Sequence, residues 1–293
     1  RRRKPMPSPT AEASPQPDQP GQPGTNSLHI WDGFLLFASH EIVNTFHSHY
    51  AASIIFAAQP DSNSESLPIR IEDEDGQRET FRAVVIPPNF AHRLSAPGVE
   101  LAVLMVDPDW PGFSLAVPLT RPRTLRLSVT ETAQHTQTVR RLRSEKVRCT
   151  DALEFASALM ASAGSGSPAS SSQTPAAQAM DSRVSEVLEH IQAMEELPVD
   201  INAEEMARMV GLSGERFRAL FKNAMGLRFR RYLLWLRLRR AAALVADGLS
   251  LTEIAHATGF YDSAHFSRTF REMLGHAPSD LLGKGRSLQI ECC

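Results

Sequence analysis

The sequence predicts an α+β multidomain chain: an antiparallel β barrel with trailing helices, then an all-α domain of two helix-turn-helix units joined by one long linker helix. Three observations carry this. Short strand-like runs separated by turn residues fill 28–125, and a helical pattern in the last third occurs twice. Two segments of biased composition, 1–27 and 163–180, set the folded parts apart.

Residues 1–27 are rich in Pro, Gln, Ser and Gly and almost lack apolar side chains. Such a tail cannot bury enough surface to offset its chain entropy and is expected to be disordered. Residues 28–162 form the first folded part, in which HIWDGFLLFA, ASIIFAA, PIRIE, FRAVVIPP and VELAVLMVD read as strands. In FHSHYAASIIFA, His47 and His49 are two apart and so share one face of a strand. VVIPPNFAHRL turns through Pro87-Pro88 and brings His92 onto the next strand.

Two helices are expected next. One, over 128–146, spaces Val129, Ala133, Val139 and Leu142; the other, from Asp151, carries Leu153, Ala156 and Leu159. Their apolar stripe serves either to pack back on the barrel or to pair with a second subunit. Residues 163–180, AGSGSPASSSQTPAAQAM, read as a flexible linker.

Residues 181–283 form the helical domain, opened by VSEVLEHIQAM, with Asn202 as the cap of the next helix. Glu205-Met206-Ala207 stands ahead of Gly211 as Glu253-Ile254-Ala255 stands ahead of Gly259. Phe217, Phe221 and Gly226 are answered by Phe266, Phe270 and Gly275, the second turn being one residue longer. Gly259 closes its helix in the left-handed conformation that glycine adopts cheaply, and Asp262 caps the helix that follows. There Phe266, Phe270 and Met273 make one apolar stripe, leaving Arg268 and Arg271 off it. Between the copies, FRRYLLWLRLRRAAALVA (229–246) places Leu233, Leu236, Leu244 and Val245 on a helical period, which predicts the linker helix. Residues 284–293 are left as a C-terminal tail.

A net charge of −2 says little until it is resolved along the chain. Over 206–246, Arg208, Arg216, Arg218, Lys222, Arg228, Arg230, Arg231, Arg237, Arg239 and Arg240 stand against the single acid Glu215. That clustering is the footprint of a phosphate-binding surface. Cys149 and Cys292-Cys293 offer no disulfide framework and no metal-knuckle spacing, which fits a reducing cytosol. RRRKPMPSPT is not followed by an apolar segment, so no secretory signal is read there, and no run approaches the ~20 apolar residues of a membrane span.

Residues 184–282 resemble the DNA-binding domain of the AraC/XylS family of bacterial transcription regulators. The resemblance rests on INAEEMARMVGLSGERFRALFKNAMGLRF, on YLLWLRLRRAAALV, and above all on LSLTEIAHATGFYDSAHFSRTFREMLGHAPSDLL. The ordered series I-A-x-x-x-G-F, H-F-S-R-x-F and G-x-x-P-S is long. Two departures stand out: Leu281-Leu282 where the family has an aromatic followed by Arg, and Glu215 as an acid early in the first recognition helix.

The resemblance implies recognition helices over 213–224 and 262–274, held about one DNA turn apart at ~34 Å so that one monomer reaches two successive major grooves. The base-facing positions are then Glu215, Arg218 and Ala219 in the first helix and Ser263, Ala264, His265 and Arg268 in the second. Arginine paired bidentately with guanine is the commonest specific contact, so Arg218 and Arg268 lead the readout. Glu215 either accepts from cytosine or caps its own helix. Arg216, Lys222, Arg228, Arg230 and Arg271 are expected to meet phosphates.

The β part is similar, more loosely, to the cupin-like barrel with which many such regulators sense an effector. A cupin metal site would combine His47, His49 and His92 with a carboxylate shortly after His49, where Ser53 and Ile54 stand instead. Three imidazoles suffice for zinc or another divalent metal with one open position. With the carboxylate missing, the sequence favours His47, His49 and His92 as hydrogen-bonded residues lining an effector pocket, with no resident cofactor.

The expected protein is a cytoplasmic, nucleoid-associated transcription activator and not an enzyme. Its expected partners are a double-stranded DNA operator, a small-molecule effector, RNA polymerase and a second copy in a homodimer, with no membrane. Two alternatives stand beside it: a cupin-type metalloenzyme fused to a DNA-binding domain, and a dimeric regulator that needs no effector.

Overall fold

The computed structural model describes residues 26–58, 67–108, 110, 124–126, 132–145, 147–165, 180–194, 196–246, 248–282 and 288–293. The disorder expected of 1–27 and the flexibility expected of 163–180 fall almost wholly outside them.

The first part is a run of strands: β1 (Asn26–Trp31), β2 (Phe34–Ser39), β3 (Ile42–Val43), β4 (Ala52–Ala57), β5 (Ile69–Asp73), β6 (Arg78–Phe81), β7 (Ala83–Ile86), β8 (His92–Ala96), β9 (Leu101–Val106) and β10 (Leu125–Arg126). Helices α1 (Thr132–Ser144) and α2 (Cys149–Ser165) follow, and then α3 (Ser182–Gln192), α4 (Ala203–Met209), α5 (Gly214–Met225), α6 (Phe229–Ala246), α7 (Leu251–Ala257), α8 (Ser263–Leu274) and α9 (Pro278–Leu282). A last strand, β11, spans Leu288–Cys292.

The strands form two sheets, ordered β10-β7-β4-β9-β2-β1-β11 and β3-β8-β5-β6. The expected barrel is therefore not closed: among the described residues, no ladder joins an edge of the large sheet to an edge of the small one. Strand β4 shows why the middle of the large sheet is largely apolar. Ile54 and Phe56 point to one face, where Phe34, Leu36 and Leu104 meet Val139, Leu142, Phe155, Ala156 and Leu159 of α1 and α2. Ile55 and Ala57 point to the other, where Val84 and Val103 meet Ile69, Ile71 and Leu94 of the small sheet. With both faces covered, the polar–apolar alternation of a half-solvated strand has no reason to appear. Of the expected stripe Val139, Leu142, Ala156 and Leu159 are buried on the sheet, Ala133 and Leu153 stay exposed, and Val129 lies outside the described residues.

The C-terminal segment departs from its expectation as a tail. Strand β11 pairs in parallel with β1, Asn26 opposite Leu288 through Ile30 opposite Cys292. This brings Cys293 beside the start of α2, and a disulfide joins Cys149 to Cys293. The expectation of unpaired thiols is corrected here: a pairing across 144 residues depends on the β1–β11 register, which cysteine spacing does not encode.

In the helical domain Gly211 and Gly259 both take left-handed φ, 69° and 77°, at the two inter-helix turns. Each short helix is capped: Asn202 Oδ1 accepts from Glu205 N at 3.0 Å, and Ser250 and Glu253 form a reciprocal capping box before α7. Asp262 Oδ1 accepts from His265 N at 2.6 Å. Such caps contribute about 1 kcal/mol each, a large share for helices of seven residues. No described helix is long and apolar enough to cross a membrane.

Candidate functional site

Helices α5 and α8, the two expected to recognise DNA, are anchored from beneath by the same aromatic pair. Phe217 and Phe221 are fully buried in α5, and Phe266 is buried in α8 with Phe270 packed beside it at 5.8 Å between rings. What remains outward decides what each helix can touch. In α5, Glu215, Arg216, Arg218, Ala219 and Lys222 are exposed; in α8, Ala264, Arg268 and Arg271 are exposed while Ser263 and His265 are half-buried. The His265 ring packs edge-on against Phe260 at 5.3 Å, and its Nδ1 is buried without a partner.

Glu215 does not cap α5. Ser213 does, its Oγ accepting from Arg216 N at 3.4 Å. Arg218 donates to the Glu204 carboxylate of α4, and that hydrogen bond holds the Glu204 carboxyl below its ordinary pKa. Arg218, Ala219, Lys222, Arg228, Arg230 and His265 line one groove between the two units, together with Tyr261, which is 81% exposed.

The basic cluster of 206–246 divides in two. Arg208, Arg216, Arg218, Lys222, Arg228 and Arg230 are exposed. Arg231, Arg237, Arg239 and Arg240 turn inward, which corrects their reading as phosphate-facing charge. Arg237 is 8% exposed, donates to the carbonyls of Pro198 and Val199 at 2.9 and 3.2 Å, and has its pKa lowered by burial. Its guanidinium lies under Gly259, so it braces one unit against the turn of the other. Arg240 donates to Met194 O at 2.6 Å.

The other two reach the β sheets. Arg231 donates to Ser48 O at 2.6 Å and Ser48 Oγ at 2.9 Å. Arg239 donates to the buried carboxylate of Asp107, which also accepts from Trp235 Nε1 at 2.9 Å. From α8, Gly275 O accepts from Thr45 N at 3.0 Å and Thr45 Oγ1 at 3.1 Å. From sequence Arg239 reads only as one of the basic cluster, and Asp107 and Trp235 carry no mark beyond a tryptophan inside a basic helix.

These contacts roof an apolar cavity of about 150 Å³. Phe37, Val103 and Met105 line it from the large sheet, Leu94 from the small one, Trp235 and Leu238 from α6, and Phe266, Phe270 and Leu274 from α8. Dry cavities of this size lined by Leu, Ile and Phe hold benzene-sized molecules. His47, His49 and His92 stand at its polar end. His47 and His49 do not share a strand face as expected: the segment before β4 is irregular, tied to the small sheet by a bridge between His47 and His92 and by the bonds of Asn44 with Leu94. The local reason is that Nδ1 of each His bonds a nearby carbonyl, His47 to Thr45 at 2.9 Å and His49 to Ala51 at 2.7 Å. The three rings nevertheless converge, being 7%, 4% and 2% exposed. Burial, followed by the neighbouring His92, lowers His47 to a pKa of about 3, and burial lowers His92 to about 4. Burial drives His49 well below its ordinary value. All three are neutral imidazoles at neutral pH.

Residues 206–284 match the family described as Helix-turn-helix domain. The chain is 38% identical over 96 residues to the HTH-type transcriptional regulator GlxA of Rhizobium meliloti (strain 1021), covering 32% of this chain and 29% of that protein. It is 36% identical over 83 residues to the HTH-type transcriptional activator RhaS of Escherichia coli (strain SE11), covering 28% of this chain and 30% of that one. The match therefore spans under a third of either relative. Among solved structures, ToxT from Vibrio cholerae O395 superposes with a TM-score of 0.54 at 11% identity, over 86% of this chain and 98% of that one, a likeness of fold.

Proposed function

We propose that the chain is a sequence-specific transcription activator with the DNA-binding domain of AraC/XylS-type regulators, governed by a small molecule in the cavity between its β sheets and its helical domain. The observation that carries this reading is the pair of capped recognition helices, each anchored by buried phenylalanines and each presenting an exposed arginine, on one continuous α6. At 1.5 Å per residue, the 18 residues of α6 span ~27 Å, which suits two helices placed in successive major grooves.

In this reading Arg218 and Arg268 read bases, flanked by Glu215, Ala219, Ser263, Ala264 and His265, while Arg216, Lys222, Arg228, Arg230 and Arg271 meet phosphates. Arg218 must leave Glu204 to do so, which sets a cost on readout by the first unit. The effector sits where it touches α6 and α8 at once, so ligand contacts that differ between two domain arrangements would bias DNA affinity. RNA polymerase, a second copy of the chain and a cytoplasmic setting complete the proposal.

Selection of bound duplexes from a random pool tests it. A site with two conserved blocks ~10 bp apart is the expected result. Weak binding without enrichment, sensitive only to salt, would overturn sequence-specific readout.

A further inference from the structure

We propose that His47, His49 and His92 bind one divalent transition-metal ion through their Nε2 atoms, with a coordination position left open toward the apolar cavity. One ring nitrogen from each residue lies within 4.8 Å of the others, and all three side chains are buried. What makes this a built site is the opposite side of each ring. His47 Nδ1 meets Thr45 O at 2.9 Å, His49 Nδ1 meets Ala51 O at 2.7 Å, and His92 Nδ1 meets Phe90 O at 2.9 Å. A carbonyl oxygen only accepts, so each Nδ1 carries the proton and each Nε2 keeps its lone pair. Imidazoles that ligate metals are held in this way, the outer hydrogen bond fixing both tautomer and ring orientation.

The one other polar contact at these nitrogens is Ser53 Oγ, 3.4 Å from His49 Nε2, long for a hydroxyl donor. Ligand nitrogens about 2.0–2.1 Å from a tetrahedral ion stand about 3.4 Å apart, so binding requires the rings to close by at most about 1.5 Å. Three neutral imidazoles without a carboxylate select Zn²⁺, Co²⁺, Ni²⁺ or Cu²⁺ and not the oxygen-seeking Mg²⁺ or Ca²⁺. The missing acid leaves the fourth position for water or for an oxygen of a molecule in the cavity. The site also lies against the DNA-binding helices: the Trp235 ring is 6.1 Å from His49, and Gly275 is bonded to Thr45, whose carbonyl orients His47. The inference goes beyond DNA recognition, and its test involves no DNA, so failure of either leaves the other standing.

The full chain, stripped with a chelator, is titrated with Co²⁺. A visible d–d absorption saturating at one equivalent is expected, with three paramagnetically shifted, exchangeable imidazole N–H resonances in the proton spectrum, one per Nδ1–H. His49→Gln and His92→Gln should each lose the absorption. No uptake at ~10 μM ion, or one equivalent bound with fewer than three such resonances, would overturn the site; so would unchanged absorption in folded variants. The resonance count is read on the wild-type chain, so the test survives a variant that does not fold.

Discussion

The two helix-turn-helix units share a plan but not a setting. The first is held by its own neighbours: Arg218 of α5 is tied to Glu204 of α4, and both are exposed. The second is held by the β sheets. Phe266, Phe270 and Leu274 of α8 line the cavity, and its C-cap glycine is bonded to Thr45 beside the histidines. Duplication has thus given one unit that meets the β part at the end of α5, where Tyr50 Oη donates to Met225 Sδ at 3.9 Å, and one whose inner face belongs to the cavity.

The largest break in this comparison comes from Asp107→Asn. It removes the buried counter-charge of Arg239, leaving only the exposed Asp32 carboxylate at 3.9 Å among the described residues, and sets a part-buried guanidinium against a neutral amide. Disrupting such a pair costs about 3–5 kcal/mol when fully buried, and Arg239 is 20% exposed, so the lower end is expected. Hydrogen exchange should rise at the contact of α6 with the sheets and in α8, and stay unchanged in α5.

A sharper contrast comes from the two C-cap glycines, which occupy equivalent places. Gly226 and Gly275 have φ of 72° and 74°, so alanine meets the same left-handed penalty of roughly 1–2 kcal/mol at either. A Cβ at Gly226 would approach only Asn89 Nδ2, at 3.1 Å, and that amide end can move. At Gly275 it would meet Asn44 Cβ, His47 Nδ1 and Thr45 O, all at 2.8 Å. Gly275→Ala should therefore lower the melting temperature more than Gly226→Ala and also disturb the histidine cluster.

Acid should act on the same side. His47, His49 and His92 bind protons near pH 6.5 when unfolded and resist them in the folded chain, with His47 near 3 and His92 near 4. The unfolded state then holds more protons between about pH 6.5 and 4, so metal-free protein loses stability as pH falls through that window. Each group contributes up to about 1.4 kcal/mol per pH unit. Arg231 and His276 face the cluster from the helical domain and oppose its charging, and Arg239 lines the same cavity, paired with Asp107. Fluorescence of Trp235, whose ring lies 6.1 Å from His49, should report the loosening before the far-ultraviolet signal of the helices changes.

The second half of the chain was legible because its information is local. Glycines at turn positions, capping residues and paired phenylalanines sit within a dozen residues of what they organise, and they occur twice. The first half and the domain contact were not. Asp107 finds Trp235 across 128 residues, and Cys149 finds Cys293 across 144, through surfaces that no periodicity marks. The inward arginines make the same point. Arg230 and Arg231 are adjacent and alike in sequence, yet one is exposed and the other bonds Ser48, because neighbouring positions on a helix point about 100° apart. The histidines lay between: their grouping was implied by the cupin resemblance, whereas the carbonyls of Thr45, Ala51 and Phe90 that fix their tautomers required the backbone.

The most direct measurement repeats the duplex selection with Arg218→Ala and Arg268→Ala beside the wild type. If the units read DNA separately, each variant should blur a different block of the selected site, at ~1–3 kcal/mol against the preferred base. Loss of preference at the same block in both variants, or at neither, would contradict two-unit readout.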